Sequence, residues 1–356
     1  MSGPKWFPEV KFLHSVKMRA LEWLMPGFIP KGKIVTVAGD PGVGKGLFIA
    51  DLAARISVGE ALPGDAERSG DPGGVFFCSE EDSLDDVVKP RILAAGGNPK
   101  NIRFFTGMTR RDPDGSVTGF RSFTLADIDV FREALKTGRA GPRLIVFDPV
   151  TSYLGKGVDA NSNGDVRTAL APYIKAAEES GATIVLVTHL NKSKEMTPNQ
   201  RINGATAFAA ISRSVLMVTP GRDADQRCVF QTKSNLDKKP APLAFRIQGR
   251  AVEEDELIVD TASIEWSSGP VDLTIEEALE GPSATAEEVR EVHGTLRERL
   301  KSGPASLSEL YSLVSSKGVS ERQLRKRLSE LKATAKPEGR RGPWMYRLPE
   351  DPGSAS

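Results

Sequence analysis

The sequence predicts an α/β protein, a mostly parallel sheet covered by helices on both faces, followed by a small basic domain at the C-terminal end. Three observations carry this. Short β-branched apolar runs alternate with helix-length stretches through the first two thirds of the 356 residues. One strand and helix of that series are joined by a glycine-rich turn, Gly39 to Gly46. Charge is balanced overall, 48 Lys and Arg against 47 Asp and Glu, yet residues 281–349 hold 14 basic and 8 acidic side chains.

The strands are expected at residues 34–38, 75–78, 144–147, 183–187 and 214–218, and the helices at 45–58, 84–95, 126–136, 165–179 and 205–211. Continuous apolar strands separated by helices belong in a parallel sheet buried on both sides. Runs at 228–232 and 243–247 have no helix between them and are expected as antiparallel strands at one edge. Residues 1–30 form a lead-in, too apolar near Trp23–Pro30 for a free tail and too proline-rich for a long helix. Segments 59–74 and 107–122, rich in Gly and charge, read as mobile loops. The domains expected are a core at 31–252, a linker at 253–283 that starts with a hairpin, a basic domain at 284–349 and a tail at 350–356. Cys78 and Cys228 both lie in apolar runs and offer no metal-ligand spacing. Without a leader or an apolar run long enough to span a bilayer, the chain reads as cytoplasmic.

Gly39-Asp40-Pro41-Gly42-Val43-Gly44-Lys45-Gly46 fits GxxxxGK between a strand and an amphipathic helix that opens on Leu47. Glycines let backbone N–H groups curl around phosphate oxygens, while Lys45 and the helix N-terminus meet their charge. The eighth position ordinarily carries a Ser or Thr hydroxyl for Mg²⁺, and here it is Gly46. Nucleotide binding is therefore expected to survive better than hydrolysis.

Three further strand ends carry chemistry. Asp148 closes an apolar strand in the manner of a Walker B carboxylate, suited to a metal-bound water, although such strands also end in Asp as a simple cap. Glu80-Glu81-Asp82 closes the strand expected beside the phosphate loop. Glu81 is read as the general base and Asp82 as a second metal carboxylate, against the plainer reading of acids favoured by the following helix N-terminus. His189 ends another strand, placed either to sense a terminal phosphate or to satisfy the fold. The loop after it holds Lys192, Lys194 and Arg201 and reads as a nucleic-acid contact or a solvated loop.

From about residue 15 to 247 the chain resembles the RepA-like hexameric helicase and ATPase family, relatives of RecA and DnaB. The resemblance rests on Trp23–Pro30 leading into Gly39-Asp40-Pro41-Gly42, on Ser79-Glu80-Glu81-Asp82 and on Lys89-Pro90-Arg91. It continues in Val187–Ser193, in Gly204–Phe208 with Arg213, and in Lys233-Ser234-Asn235-Leu236 before Leu243–Ile247. It implies a RecA-like fold, ATP and Mg²⁺ as cofactors, a homo-hexameric ring, Glu81 as catalytic glutamate, Asp148 as the Walker B aspartate and His189 as γ-phosphate sensor. It also implies that Lys233 and Arg246 reach a neighbouring subunit's γ-phosphate.

In the basic domain, Val289, Val292, Leu296 and Leu300 lie on one helical face, and Leu307, Leu310 and Val314 on a second. Leu324, Leu328 and Leu331 mark a third helix carrying Arg322, Arg325, Lys326 and Arg327. Residues 336–348 read as a hairpin with Arg340 and Arg341 at its tip. Three helices and a hairpin resemble a winged helix, whose cations would meet DNA mostly through phosphate, or a protein-binding relative with a solvated basic face. The function expected is a ring-forming, helicase-like ATPase acting on DNA. The alternative is a nucleotide-responsive DNA-binding regulator or repair accessory with weak turnover.

Overall fold

The computed structural model describes residues 8, 10–64, 70–138, 140–190, 206–223, 225–269, 271–280, 286–317, 319, 321–337 and 344–349. Two units form: Met1–Thr219 with Gln226–Asp272, and Pro220–Asp225 with Leu273–Ser356.

The first unit opens with the antiparallel pair β1 (Trp23–Met25) and β2 (Ile29–Pro30). Met25, Phe28 and Ile29 are buried, so the end of the lead-in joins the core, while residues 10–22 are exposed. The large sheet takes β3 (Ile34–Gly39), β4 (Gly74–Ser79) and β5 (Ile102–Phe104). After a separate hairpin of β6 (Met108–Arg111) and β7 (Val117–Arg121), it resumes with β8 (Pro142–Asp148), β9 (Thr183–His189) and β10 (Ser214–Pro220). It is completed by β11 (Gln226–Ser234), β12 (Leu243–Glu254) and β13 (Leu257–Trp266). The order is β13-β12-β11-β10-β3-β9-β8-β4-β5. Pairs from β10 to β5 are parallel, while β11/β12 and β12/β13 are antiparallel.

Side-chain alternation divides each apolar run between two cores. Val35, Val37, Val185, Val187, Leu144 and Val146 face one core with Phe48 and Leu52 of α1 (Lys45–Val58). Ile34, Ile184, Leu186, Ile145 and Phe147 face the other, with Phe131 of α3 (Ile128–Leu135) and Tyr173 of α4 (Asn163–Ser180). Between α1 and α3 runs the short α2 (Lys89–Ala94), and α5 (Thr206–Ile211) precedes β10. This is the RecA-like α/β arrangement, with helices on both faces of a mostly parallel sheet.

Four sequence expectations change. Segment 107–122 is not an irregular loop but the β6/β7 hairpin, which turns through Asp112–Gly115. Its mostly exposed, charged strands lack the apolar alternation that marks a half-buried strand. Residues 253–266, expected as the start of a linker, close β12 and form β13 of the large sheet. The helix expected at 84–95 begins as a widened turn, with Val88 N–H donating to the Ser83 carbonyl at 3.0 Å, before α2 starts with Pro90 in its first turn. Finally, β4 is not next to the phosphate-loop strand, because β9 and β8 lie between.

The second unit contains α6 (Ile275–Glu280), α7 (Ala286–Lys301), α8 (Leu307–Val314) and α9 (Glu321–Glu330). Val292, Leu296, Leu300, Leu310, Val314, Leu324 and Leu328 form its core. Ser306 caps α8 by accepting the Glu309 N–H at 3.2 Å. A small sheet of β14 (Ala305–Ser306), β15 (Thr334–Pro337) and β16 (Trp344–Arg347) runs in the order β14-β16-β15. Among the described residues no helix is long and apolar enough to cross a membrane.

Candidate nucleotide site

Strand β3 delivers the chain into the turn Gly39–Gly44, and α1 starts at Lys45. Gly42 and Gly44 hold φ of 72° and 104°, values that L side chains resist, and the turn curls with the Val43 N–H donating to the Asp40 carbonyl at 3.3 Å. Val43 is buried beneath it, Leu47 is partly buried against the same core, and Phe245 and Ile247 of β12 lie under Gly44. Asp40 and Pro41 form the rim of the turn. Lys45 folds back over it, donating from Nζ to the Gly39 and Asp40 carbonyls, both at 3.0 Å. Burial lowers the Lys45 pKa, and the charges of Asp148, Glu81 and Asp40 offset part of that effect.

Sheet register brings the remaining groups together. Gly39 pairs with His189 across β3/β9, and Ser79 pairs with Asp148 across β4/β8. His189 Nδ1 stands 3.2 Å from Lys45 Nζ, and its Nε2 stands 3.3 Å from Glu81 Oε2. An ammonium only donates and a carboxylate only accepts, so the arrangement suits a neutral imidazole protonated at Nε2. His189, at the end of β9, thus bridges the phosphate-loop lysine after β3 and Glu81 after β4. Asp148 lies near this bridge with its pKa raised to about 6, first by burial and then by the Glu81 charge, against the opposing charges of Lys45 and Arg91.

The metal side differs from the usual P-loop arrangement. Gly46 offers no hydroxyl, and Asp82 is held by Arg91, whose Nη1 donates to Oδ2 at 2.6 Å. Gly46, Ser79, Asp82, Arg91 and Asp148 share a cavity of about 20 Å³, room for roughly one water. Among the described residues, no group of three or more His, Cys, Asp or Glu side chains is placed to hold a metal ion. The turn fits a polyphosphate. With Gly46 lacking a hydroxyl and Asp82 held by Arg91, two of the groups expected to meet Mg²⁺ or its waters are not offered to it.

A family model described as an AAA domain matches residues 8–195, more than half of the chain, including the phosphate turn, Glu81, Asp148 and His189. The chain belongs to the AAA domain family. Over 266 residues it is also 24% identical to the DNA repair protein RadA of Halalkalibacterium halodurans, a match covering 74% of this chain and 50% of that protein. The chain thus spans about half the length of that curated relative.

Beyond the matched residues, two sequence-derived candidates lie away from this cluster. Lys233, on β11, donates to the carbonyls of Ala209, Ala210 and Ser212 at 2.7, 3.3 and 3.1 Å, closing the C-terminal end of α5. Burial, then the charge of Arg213, lowers its pKa. Arg246 lies on β12 between Phe245 and Ile247, the residues beneath Gly44, so alternation sends it to the opposite face. In the C-terminal unit Arg325 reaches back to Glu321 at 2.9 Å, and Lys326 is exposed. Arg327, with only 13% of its side chain exposed, pairs with Glu330, which also meets His293 at 2.9 Å. That makes Arg327 a structural cation rather than an outward one. The side chain of Arg322, all of Arg340 and Arg341, and the loop carrying Lys192, Lys194 and Arg201 lie outside the described residues.

Sequence reasoning about the site missed Arg91. It appeared there only as part of a resemblance, although the absent hydroxyl at Gly46 was a signal to look for a compensating cation on the helix after the acidic run.

Proposed function

We propose that the protein binds ATP in the Gly39–Lys45 turn, hydrolyses it, and couples that cycle to DNA as a ring-forming, helicase-like motor. The observation that carries this reading is the His189 bridge between Lys45 and Glu81, since it links the group that would hold the terminal phosphate to the group that would activate water. A γ-phosphate entering the turn draws Lys45 Nζ from His189, whose imidazole then senses the phosphate directly. Water attacks the γ-phosphorus, its proton passes to Glu81, and the bond to the oxygen of departing ADP breaks. Lys233 and Arg246 act across a subunit boundary on the developing charge, Lys233 first leaving its own helix end. The region 284–349 works as a winged-helix-like module on DNA phosphates, with Arg322, Arg325, Lys326, Arg340 and Arg341 as its contacts. The DNA repair role in the name of the RadA relative supports the DNA assignment.

Steady-state phosphate release with and without single-stranded DNA, paired with light scattering in ATP, tests this. The wild type should assemble as a hexamer and turn over faster with DNA. His189→Ala and Glu81→Gln should each lower turnover by about 10²-fold or more while nucleotide affinity changes only a few-fold. Lys233→Ala should abolish turnover in an assembled ring without altering affinity. Unchanged turnover in His189→Ala would remove the observation on which the reading stands. Gly46 favours a second reading, a nucleotide-responsive DNA-binding regulator, and the same assays would mark it by tight ATP binding with negligible turnover.

A further inference from the structure

We propose that Arg91 is a phosphate-binding residue that takes over the metal-side position vacated at Gly46, so that this site holds a nucleoside triphosphate without depending on Mg²⁺. The inference rests on the reading of the Gly39–Lys45 turn as a triphosphate cradle and concerns how that cradle neutralises its ligand.

Position 46 follows the phosphate-loop lysine, and in the usual motif its hydroxyl faces a cation bridging the outer phosphates. Here a Cβ built on Gly46 would meet Arg91 Nη1 at 3.2 Å and Asp82 Oδ2 at 3.6 Å. The first distance is tighter than ordinary van der Waals contact. A guanidinium therefore stands against the spot from which a Ser or Thr hydroxyl would reach the metal, and the glycine is what makes room for it.

Local structure sets the arginine there. The widened turn at Leu84–Val88 and the start of α2 place Arg91 back against the first turn of α1. Asp82 then fixes one end of the guanidinium at 2.6 Å. Among the described residues Nε and Nη2 have no hydrogen-bond partner, and 28% of the side chain is exposed, so donors remain for a ligand. Guanidinium is planar, permanently charged and matched to two phosphate oxygens at once.

Charge makes this cation count. Asp40, Glu81, Asp82 and Asp148 surround the turn, and the cations facing them are Lys45 and Arg91. A triphosphate adds several negative charges, and the cavity beside Gly46, about 20 Å³, has room for about one water next to the guanidinium. Arg91 is the cation already present in that layer. Ligand oxygens would compete with Asp82 for it, which makes Asp82 a gate on the arginine rather than a metal ligand.

The test is calorimetric titration of the full chain with a non-hydrolysable ATP analogue, in millimolar Mg²⁺ and again in excess EDTA. The wild type should bind in both with affinities within about threefold. Arg91→Gln should lose about tenfold or more in EDTA and recover part of that in Mg²⁺. Gly46→Ser, which crowds the guanidinium and restores the hydroxyl, should make binding Mg²⁺-dependent and let the complex retain Mn²⁺ by electron paramagnetic resonance. Asp82→Asn, which frees the arginine, should tighten binding in EDTA and covers the case in which Arg91→Gln does not fold. Binding by the wild type that falls tenfold or more in EDTA overturns the role of Arg91 while leaving the triphosphate cradle intact. Absence of binding in both buffers removes the cradle, and the proposal with it.

Discussion

At Asp148 the fold holds a carboxyl group where water is scarce, and its pKa rises from the usual carboxylate value to about 6. The native state therefore keeps the proton more tightly than the unfolded chain does. The stability contributed by the protonated form is fully present below the unfolded value and is lost as pH rises toward 6. Asp148→Asn removes this dependence. The variant should match the wild type in melting temperature near pH 4 and exceed it above pH 6, as followed by differential scanning calorimetry. An equal gap at both pH values would show that Asp148 does not carry the strain. Lys45, Asp148 and His189 were legible as residues because each stands at a strand end or turn with its own local pattern. The bridge through His189 was not, since it depends on which strands are neighbours.

At the scale of elements, the sequence reading expected a hairpin at the start of a linker, and the structure makes it β12/β13, the edge of the large sheet. It ends in Trp266, whose ring packs edge-on against Phe48 at 5.9 Å and Phe245 at 5.4 Å. The Trp266 indole N–H donates to Asp51 Oδ2 at 2.8 Å, an oxygen that also accepts from Arg55 Nε at 3.0 Å. A carboxylate that is only 3% exposed is costly without such partners, and its pKa is raised by burial despite them. The hairpin thus fastens α1, the helix that begins at the phosphate turn. Trp266→Phe keeps most of the packing but deletes the donor, and should cost about 1–3 kcal/mol in urea unfolding. Unchanged stability would mean that Arg55 alone satisfies Asp51. The acidic tip of the hairpin hid this role, because it interrupts the apolar pattern between strands that pair along their whole length.

For the whole molecule, near-neutral net charge conceals a basic C-terminal stretch, and the described structure sorts its cations. Arg325 and Lys326 are exposed on α9, while Arg327 is tucked against Glu330. If the module binds DNA through phosphates, Arg325→Ala with Lys326→Ala should weaken binding alike on different sequences. The slope of log affinity against log salt should fall by about 2, read by fluorescence anisotropy. A slope equal to the wild type's would exclude these two residues from the interface. Arg327→Ala should instead lower the melting temperature of the C-terminal unit. By itself the sequence determined the alternating sheet, the phosphate turn, the acids and histidine at strand ends, and the three apolar helix faces. Each is written in the spacing of near neighbours along the chain. Only tertiary structure decided that β9 and β8 separate β3 from β4, that His189 spans Lys45 and Glu81, and that Arg91 fills the space beside Gly46. Those facts join residues brought together by strand order and helix packing, and no local spacing encodes which distant side chain arrives.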